Sequence, residues 1–426
     1  MRRTLLLTSF LLAASGFSGV AHSKVERAVD SLSQIKTNLF FTCKYESIPK
    51  STVGADALFQ YARWLQKNNQ LKQDKSIDAE VERLYRVAAE NDHYKANINL
   101  QNGSMRGHYK LRGEEHLRLS QKLIDAGVAT GYYFIGVFLN QGLAGLQEDK
   151  DMALRYFRKA ADHGSANAQA YVADKLAPIS IAPEIARQMR RCAAEQGNGE
   201  AAEALGNDLA VDGNYQKALE AFQLGVAAGN GSSSSFLENG FRGPIPGDRL
   251  YYLGQQEDLE RADRYQKIRR ILGSYSYADP KVPEINDILP LPPAKLPPWD
   301  GKLQWLEARL ANVPPPKPTD ALINELARAK LLEPATGKPM PGSPAFIKAS
   351  SPAPTCQSGQ ACPQTGYWQA SRLTDASQAS LQGGTIRHFE EGEILPMQSV
   401  ERHHRRFLRA DTTTVEDEVV EWRLLG

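Results

Sequence analysis

Five helical runs that end on the same kind of stop, spaced evenly through the first half of the chain, restrict its fold more than any other feature. In "LRYFRKAADHGSANAQ", residues 154–169, two alanines precede Gly164 and the pattern then restarts. Counted back from Gly164, Ala161, Ala160, Phe157, Tyr156 and Ala153 fall at −3, −4, −7, −8 and −11, which is one face of an α-helix. Before Gly197 the frame holds Ala194, Ala193, Arg190, Met189 and Ala186, with Arg190 the one misfit. Before Gly229 it holds Val226, Gly225, Phe222, Ala221 and Ala218. Before Gly127 it holds Ile124, Leu123, Ser120, Leu119 and His116, and before Asp92 it holds Ala89, Ala88, Tyr85, Leu84 and Val81.

The stops lie 35, 37, 33 and 32 residues apart, and eight residues past each one comes Leu100, Ile135, Val172, Leu205 or Leu237. A second helix therefore follows each stop with its own apolar position in phase. Gly136 and Gly206, one residue further on, leave room for a neighbouring backbone. One hairpin of this length cannot bury its apolar face alone, whereas stacked neighbours can. The expected fold is mainly α: a right-handed α-solenoid of stacked helix hairpins over residues 52–242, with a concave surface. Paired small residues let adjacent helices approach, and glycine takes the left-handed conformation that ends a helix.

These residues resemble a known family. "GYYFIGVFLNQG…EDKDMALRYFRKAADHGSANAQ" and "YQKALEAFQLGVAAGN" are similar to Sel-one-like repeats, with Ile135 in place of the usual leucine, Asp92 at the first stop and a degenerate unit ending at Gly127. "DRYQKIRRIL…KVPEINDILPLPPAKLPPWDG" resembles an uncharacterised domain that follows such repeats in exported proteins of Gram-negative bacteria, and "FTCKYES" and "YRVAAENDHYKANINLQ" resemble the same group. The resemblance implies a binding scaffold, and more narrowly an immunity protein paired with a toxic effector of type VI secretion, lipase-type (phospholipase) effectors among them.

Outside the repeats, residues 1–23 read as a signal peptide: Arg2 and Arg3, an apolar run from Leu5 to Ala14, then the small-residue site Ala21-His22-Ser23. That run is too short to span a bilayer, and no cysteine follows it as a lipid anchor would need. Export to the periplasm is the expectation, with no membrane segment left after cleavage. Residues 24–51 form an N-terminal extension. Residues 243–332 combine a helix-like run with a proline-rich stretch from Pro280 to Pro318, where prolines exclude regular helix, and then the amphipathic "DALINELARAKLL". Trp299, Asp300 and Trp305 are expected to close the last repeat, with partner contact as the alternative. Residues 333–363 read as a linker and 364–426 as a small β module around "GYWQASR", "GGTIRHFEEGEILP" and "EDEVVEWRLL".

Loss of Arg2 and Arg3 takes the formal charge from +2 to 0, so nothing favours nucleic acid or an anionic membrane as partner. An oxidising compartment permits disulfides. Cys356 and Cys362 are expected to form a local disulfide, the alternatives being free thiols or zinc ligands with His388 or His403. Cys43 and Cys192 belong to units far apart in a linear stack, so a bridge requires residues 24–51 to fold back along the groove; otherwise both are thiols, Cys192 buried beside its alanine pair. No P-loop, G-x-G-x-x-G, G-x-S-x-G or H-E-x-x-H motif is present. "HHRRFLR", residues 403–409, reads as a solvated basic face rather than an anion site. His93, His108 and His163 read as surface imidazoles at helix ends, and Ser232 to Ser235 as capping or turn residues.

The function expected is a periplasmic protein that occludes an effector without catalysis, needs no cofactor or metal, and uses the concave face and the β module; the partner-binding residues are left unknown. The alternatives are an envelope scaffold, or an enzyme using the C-terminal module.

Overall fold

The computed structural model describes residues 39–178, 182–347, 354–372, 379–382, 385–404 and 412–425. The chain is mainly helical, with a small C-terminal sheet region. Paired helices run in order: α1 (Val53–Asn69) and α2 (Lys75–Glu90), α3 (Tyr94–Met105) and α4 (Gly113–Asp125), α5 (Thr130–Gln141) and α6 (Lys150–Asp162), α7 (Ala166–Leu176) and α8 (Pro183–Glu195), α9 (Gly199–Val211) and α10 (Tyr215–Ala227), then α11 (Gly231–Gly240) and α12 (Leu259–Ser274).

The shared face is the buried face. Of the residues placed in the common frame, all but Ile124 and Tyr156 are buried, and Leu100, Ile135, Val172, Leu205 and Leu237 are buried too. Each stop is left-handed, with φ of 63° at Asp92 and 76°, 109°, 87° and 85° at Gly127, Gly164, Gly197 and Gly229. The residue after each stop donates its N–H back to the carbonyl five residues earlier: His93 to Ala88, Val128 to Leu123, Ser165 to Ala160, Asn198 to Ala193 and Asn230 to Gly225. This is the Schellman arrangement, which satisfies carbonyls a helix end would otherwise leave open. Gly136 and Gly206 are needed for a different reason from the one the sequence suggests: a Cβ there would lie 2.8 Å and 2.5 Å from the rings of Phe157 and Phe222, so side chains rather than backbone fill the gap.

Arg190, the misfit, is buried yet paired: it donates to Asp174 of α7 at 2.9 Å and to Asp208 of α9. A charge inside the stack is tolerated because both neighbours supply a carboxylate.

Part of the proline-rich stretch packs on the last helices. Val282, Ile285, Leu289 and Leu303 join the core made by α10, α11 and α12, with Trp299 partly buried against it. The expectation of no helix there is corrected twice. A short turn, α13 (Ile285–Ile288), and an eight-residue helix, α14 (Gln304–Ala311), both form. Residues 299–313 contain no proline, so nothing forbids the second. Beyond it, α15 (Asp320–Ala329) returns to the start of the stack and buries Ile323 and Ala327 against α1 and α2, with Leu322 and Leu326 beside them. Asn312 and Asn68 exchange side-chain hydrogen bonds at 2.8 and 3.0 Å, and Trp64 donates to the Asn312 carbonyl at 3.4 Å. The two ends of the stack are thus joined by residues 304–329.

The stretch expected as a linker is partly ordered. Leu332 is buried and bridges to Pro339, and Arg83 donates to the Pro334 carbonyl at 2.6 Å. The β region begins earlier than expected, with β1 (Thr355–Gln357), followed by β2 (Gly366–Arg372), β3 (Ala379–Leu381), β4 (Ile386–Phe389), β5 (Gln398–His404), β6 (Thr412–Glu418) and β7 (Val420–Leu424). Two antiparallel sheets result, ordered β1-β7-β2-β4 and β3-β5-β6. In β7, Val420, Trp422 and Leu424 point inward, and fully buried Trp422 and Trp368 anchor the sheet core. Each indole has a partner, Trp422 donating to the Pro396 carbonyl and Trp368 to the Gln364 carbonyl. The same core continues into α5, α6 and α7, so the β region is docked on the repeats.

Candidate protein-binding surfaces

Residues 39–50 take a route that the sequence left open. They run across the turns between helices rather than along a groove. Gln169 donates to the Lys44 carbonyl at 2.9 Å, the Glu46 N–H donates to Gln196 at 2.9 Å, and the Tyr45 hydroxyl donates to Glu195 at 2.6 Å. At Gly164 the strap backbone comes so close that a Cβ would sit 2.6 Å from the Tyr45 carbonyl carbon. The Glu46 carboxylate accepts from the Thr130 N–H and hydroxyl, capping α5 from outside its repeat. Cys43 and Cys192 are joined as a disulfide across 149 residues, with Cα atoms 5.6 Å apart.

Cys356 and Cys362, which the sequence reading pairs, are separate thiols in this structure. Cys356 sits on β1 opposite Trp422 and its thiol donates to Gln360 at 3.0 Å; the Cys362 thiol donates to the Gln364 carbonyl at 3.1 Å. The local turn directs the two sulfurs to different acceptors. Burial pushes the Cys362 thiol above its ordinary pKa. His388 lies edge-on to Tyr367. Among the described residues no three His, Cys, Asp or Glu side chains come together as a metal site would require. The side chains of the 403–409 basic run, His403 included, lie outside the described residues, as does the 1–23 segment.

The expected surface histidines divide: His108 and His163 are exposed, whereas His93 is not. His93 is buried, its Nδ1 accepting from the Ala96 N–H to cap α3 and its Nε2 donating to Asp56 at 3.2 Å. It therefore serves a helix start, not a helix end. His116 is buried between Gln101 and Ser104, and burial pushes its pKa down to about 4. Ser233 and Ser234 are buried within α11 while Asn230 is its cap; Ser233 packs where Gly225 leaves space, and Ser234 donates to the Tyr265 carbonyl. Trp299 donates to the Lys302 carbonyl, and Asp300 accepts from the Lys302 N–H.

Between α4, residues 343–345 and β2 lies an open cleft of 460 Å³. Its cations are paired: Arg118 grips Glu90, Lys122 meets Asp92 at 2.9 Å, and Lys330 meets Asp92 at 3.7 Å. Deeper in the stack Arg86 lies 2.6 Å from Glu115. Burial alone would raise the Glu115 carboxyl, but the guanidinium beside it outweighs that and holds it below its ordinary value. These are paired, structural charges. Among the described residues no helix is long and apolar enough to cross a membrane.

Residues 233–340, about a quarter of the chain, match the domain of unknown function DUF6396. That match spans α11 to the return helix and the turn after it. No curated protein matches the chain. Among solved structures, the immunity protein PA5088 of Pseudomonas aeruginosa is similar at 25% identity, with 59% of this chain and 94% of that one covered and a TM-score of 0.48. The immunity protein Pa5087 of the same organism is similar at 25% identity, with 60% and 95% covered and a TM-score of 0.46. A Sel1 repeat protein from Oxalobacter formigenes is similar at 18% identity, with 51% and 87% covered and a TM-score of 0.38. These likenesses are partial.

Proposed function

We propose that the chain is an exported, non-catalytic immunity protein that neutralises a toxic effector of type VI secretion, phospholipases being among the candidate effectors, by occluding it in the periplasm. The specific partner class comes from the sequence resemblance to exported Sel-one-like proteins. In this reading the stack is right-handed, the proline-rich stretch is its cap, and the β region adds contact area.

The observation that carries the binding part is the bracing of the stack. A strap, a disulfide and a return helix fix surfaces contributed by residues far apart in the chain. A surface held in advance loses less conformational freedom on binding a macromolecule, which leaves more of the interaction energy as affinity. Disulfides persist in oxidising compartments, which supports export.

Deletion of the gene in cells with an active secretion apparatus tests the reading. Self-poisoning among siblings, rescued by the intact gene, is the expected result. Unaffected growth under conditions where the apparatus kills other cells overturns it.

A further inference from the structure

The join between the two ends of the stack carries an aromatic and cationic surface. On α1, Tyr61 and Trp64 stack with ring centres 5.8 Å apart, and Arg63 and Lys67 flank them. Across the join, Tyr275 meets Trp305 edge-on at 5.8 Å, and the Arg309 guanidinium lies over both Tyr277 and Trp305, at 5.3 and 5.7 Å. Leu310 and Val313 stand beside them, 64% and 76% exposed.

Three cations converge here. Arg63 and Arg309 lie near enough to Lys67 to act on it, adding to burial in lowering its pKa. Among the described residues none of the three has a carboxylate within ion-pair distance. Arg63 instead meets the neutral Gln66 at 2.7 Å. This contrasts with the cleft beside α4, where every named charge has its counter-charge on the chain.

We propose that this join is the face that receives the partner, and that the partner is a protein meeting it with a carboxylate-bearing loop flanked by apolar side chains. The inference rests on the protein-binding reading above and names the surface it uses. Tryptophan, tyrosine and arginine are the side chains that dominate protein interfaces, because they offer large, stiff, partly apolar contact with one polar handle. The unneutralised cations select for negative charge opposite them. Anionic lipid would call for a denser cluster of about four to eight basic residues, and only three meet here. Both halves are required: α1 supplies one side and α14 the other, so the surface exists only while the ends are joined.

The test uses the protein with isotope-labelled tryptophan and a short peptide alternating glutamate and leucine. A lysine-leucine counterpart and phosphatidylglycerol vesicles serve as the other probes. Saturable movement of the Trp64 and Trp305 indole signals with the acidic peptide alone is expected, with Trp368 and Trp422 unmoved. Binding should weaken about tenfold in the double variant Lys67→Glu/Arg309→Glu, equivalent to about 1.4 kcal/mol. That variant is judged only if its Trp368 and Trp422 signals match the parent; otherwise Arg309→Gln takes its place. No movement, movement with vesicles only, or an unweakened variant overturns the proposal. In cells, a variant that protects fully where the deletion is poisoned sinks the join while leaving the immunity reading intact. If the deletion is not poisoned, that reading falls and the peptide titration alone decides the join.

Discussion

Val128 follows the stop at Gly127, whereas His93, Ser165, Asn198 and Asn230 follow the other four. Those four each accept a hydrogen bond from a backbone N–H of the next helix, and valine cannot. Glu46 supplies the missing acceptor from outside the repeat. The absent cap was readable in the sequence; which distant carboxylate would replace it was not. Gly164 shows the same dependence on a distant segment. Gly164→Ala should cost about 3 kcal/mol, since a left-handed φ and a backbone collision act together, while Gly197→Ala, with open space around it, should cost about 1 kcal/mol. Urea unfolding of the two variants measures the difference. His116 belongs to this scale too. Its folded pKa lies near 4, below the ordinary 6.5, so the unfolded chain binds the proton more readily between those values. Stability from this group is complete above pH 6.5 and falls as the pH drops toward 4, by up to about 3 kcal/mol. His93, also lowered chiefly by burial, acts in the same direction. His116→Gln should flatten the loss seen between neutral and mildly acidic urea titrations.

Among the elements, α15 is the one whose placement changes the reading of the chain. Its apolar spacing was legible as an amphipathic helix, but Leu331, inside the run "DALINELARAKLL", lies past the helix end and is 45% exposed. Nothing in the pattern named the face it would cover. Because Ile323 is buried against the first repeat, Ile323→Ala should cost about 2 to 4 kcal/mol. Hydrogen exchange should quicken in α1 and α2 more than in α10, and equal quickening would contradict that placement. The turns show a pattern at this scale as well. Leu326 accepts from Asn91 at the first, Lys44 to Glu46 cross the next three, and Val282 donates to Ala227 at the fifth. Segments outside the repeats therefore roof all five.

For the whole molecule, the Cys43–Cys192 bridge and the return helix turn an open stack into a braced one. The bridge closes a loop of 149 residues, and in the chain-entropy picture this removes about 5 kcal/mol of freedom from the unfolded state. Paired Cys43→Ser and Cys192→Ser replacements should lower stability by roughly 2 to 5 kcal/mol, measured by urea unfolding, and the Gly164→Ala penalty should shrink where the strap is released. The amino-acid order alone determined the repeat: its helix faces, left-handed stops and small residues follow from a spacing of 3.6 residues and from what each side chain permits locally. Tertiary structure alone decided where the strap runs, which cysteines meet, which turn Glu46 caps and where the two ends touch. Those depend on distances between residues far apart in the chain, and such distances are set by the accumulated geometry of every intervening hairpin rather than by any local pattern.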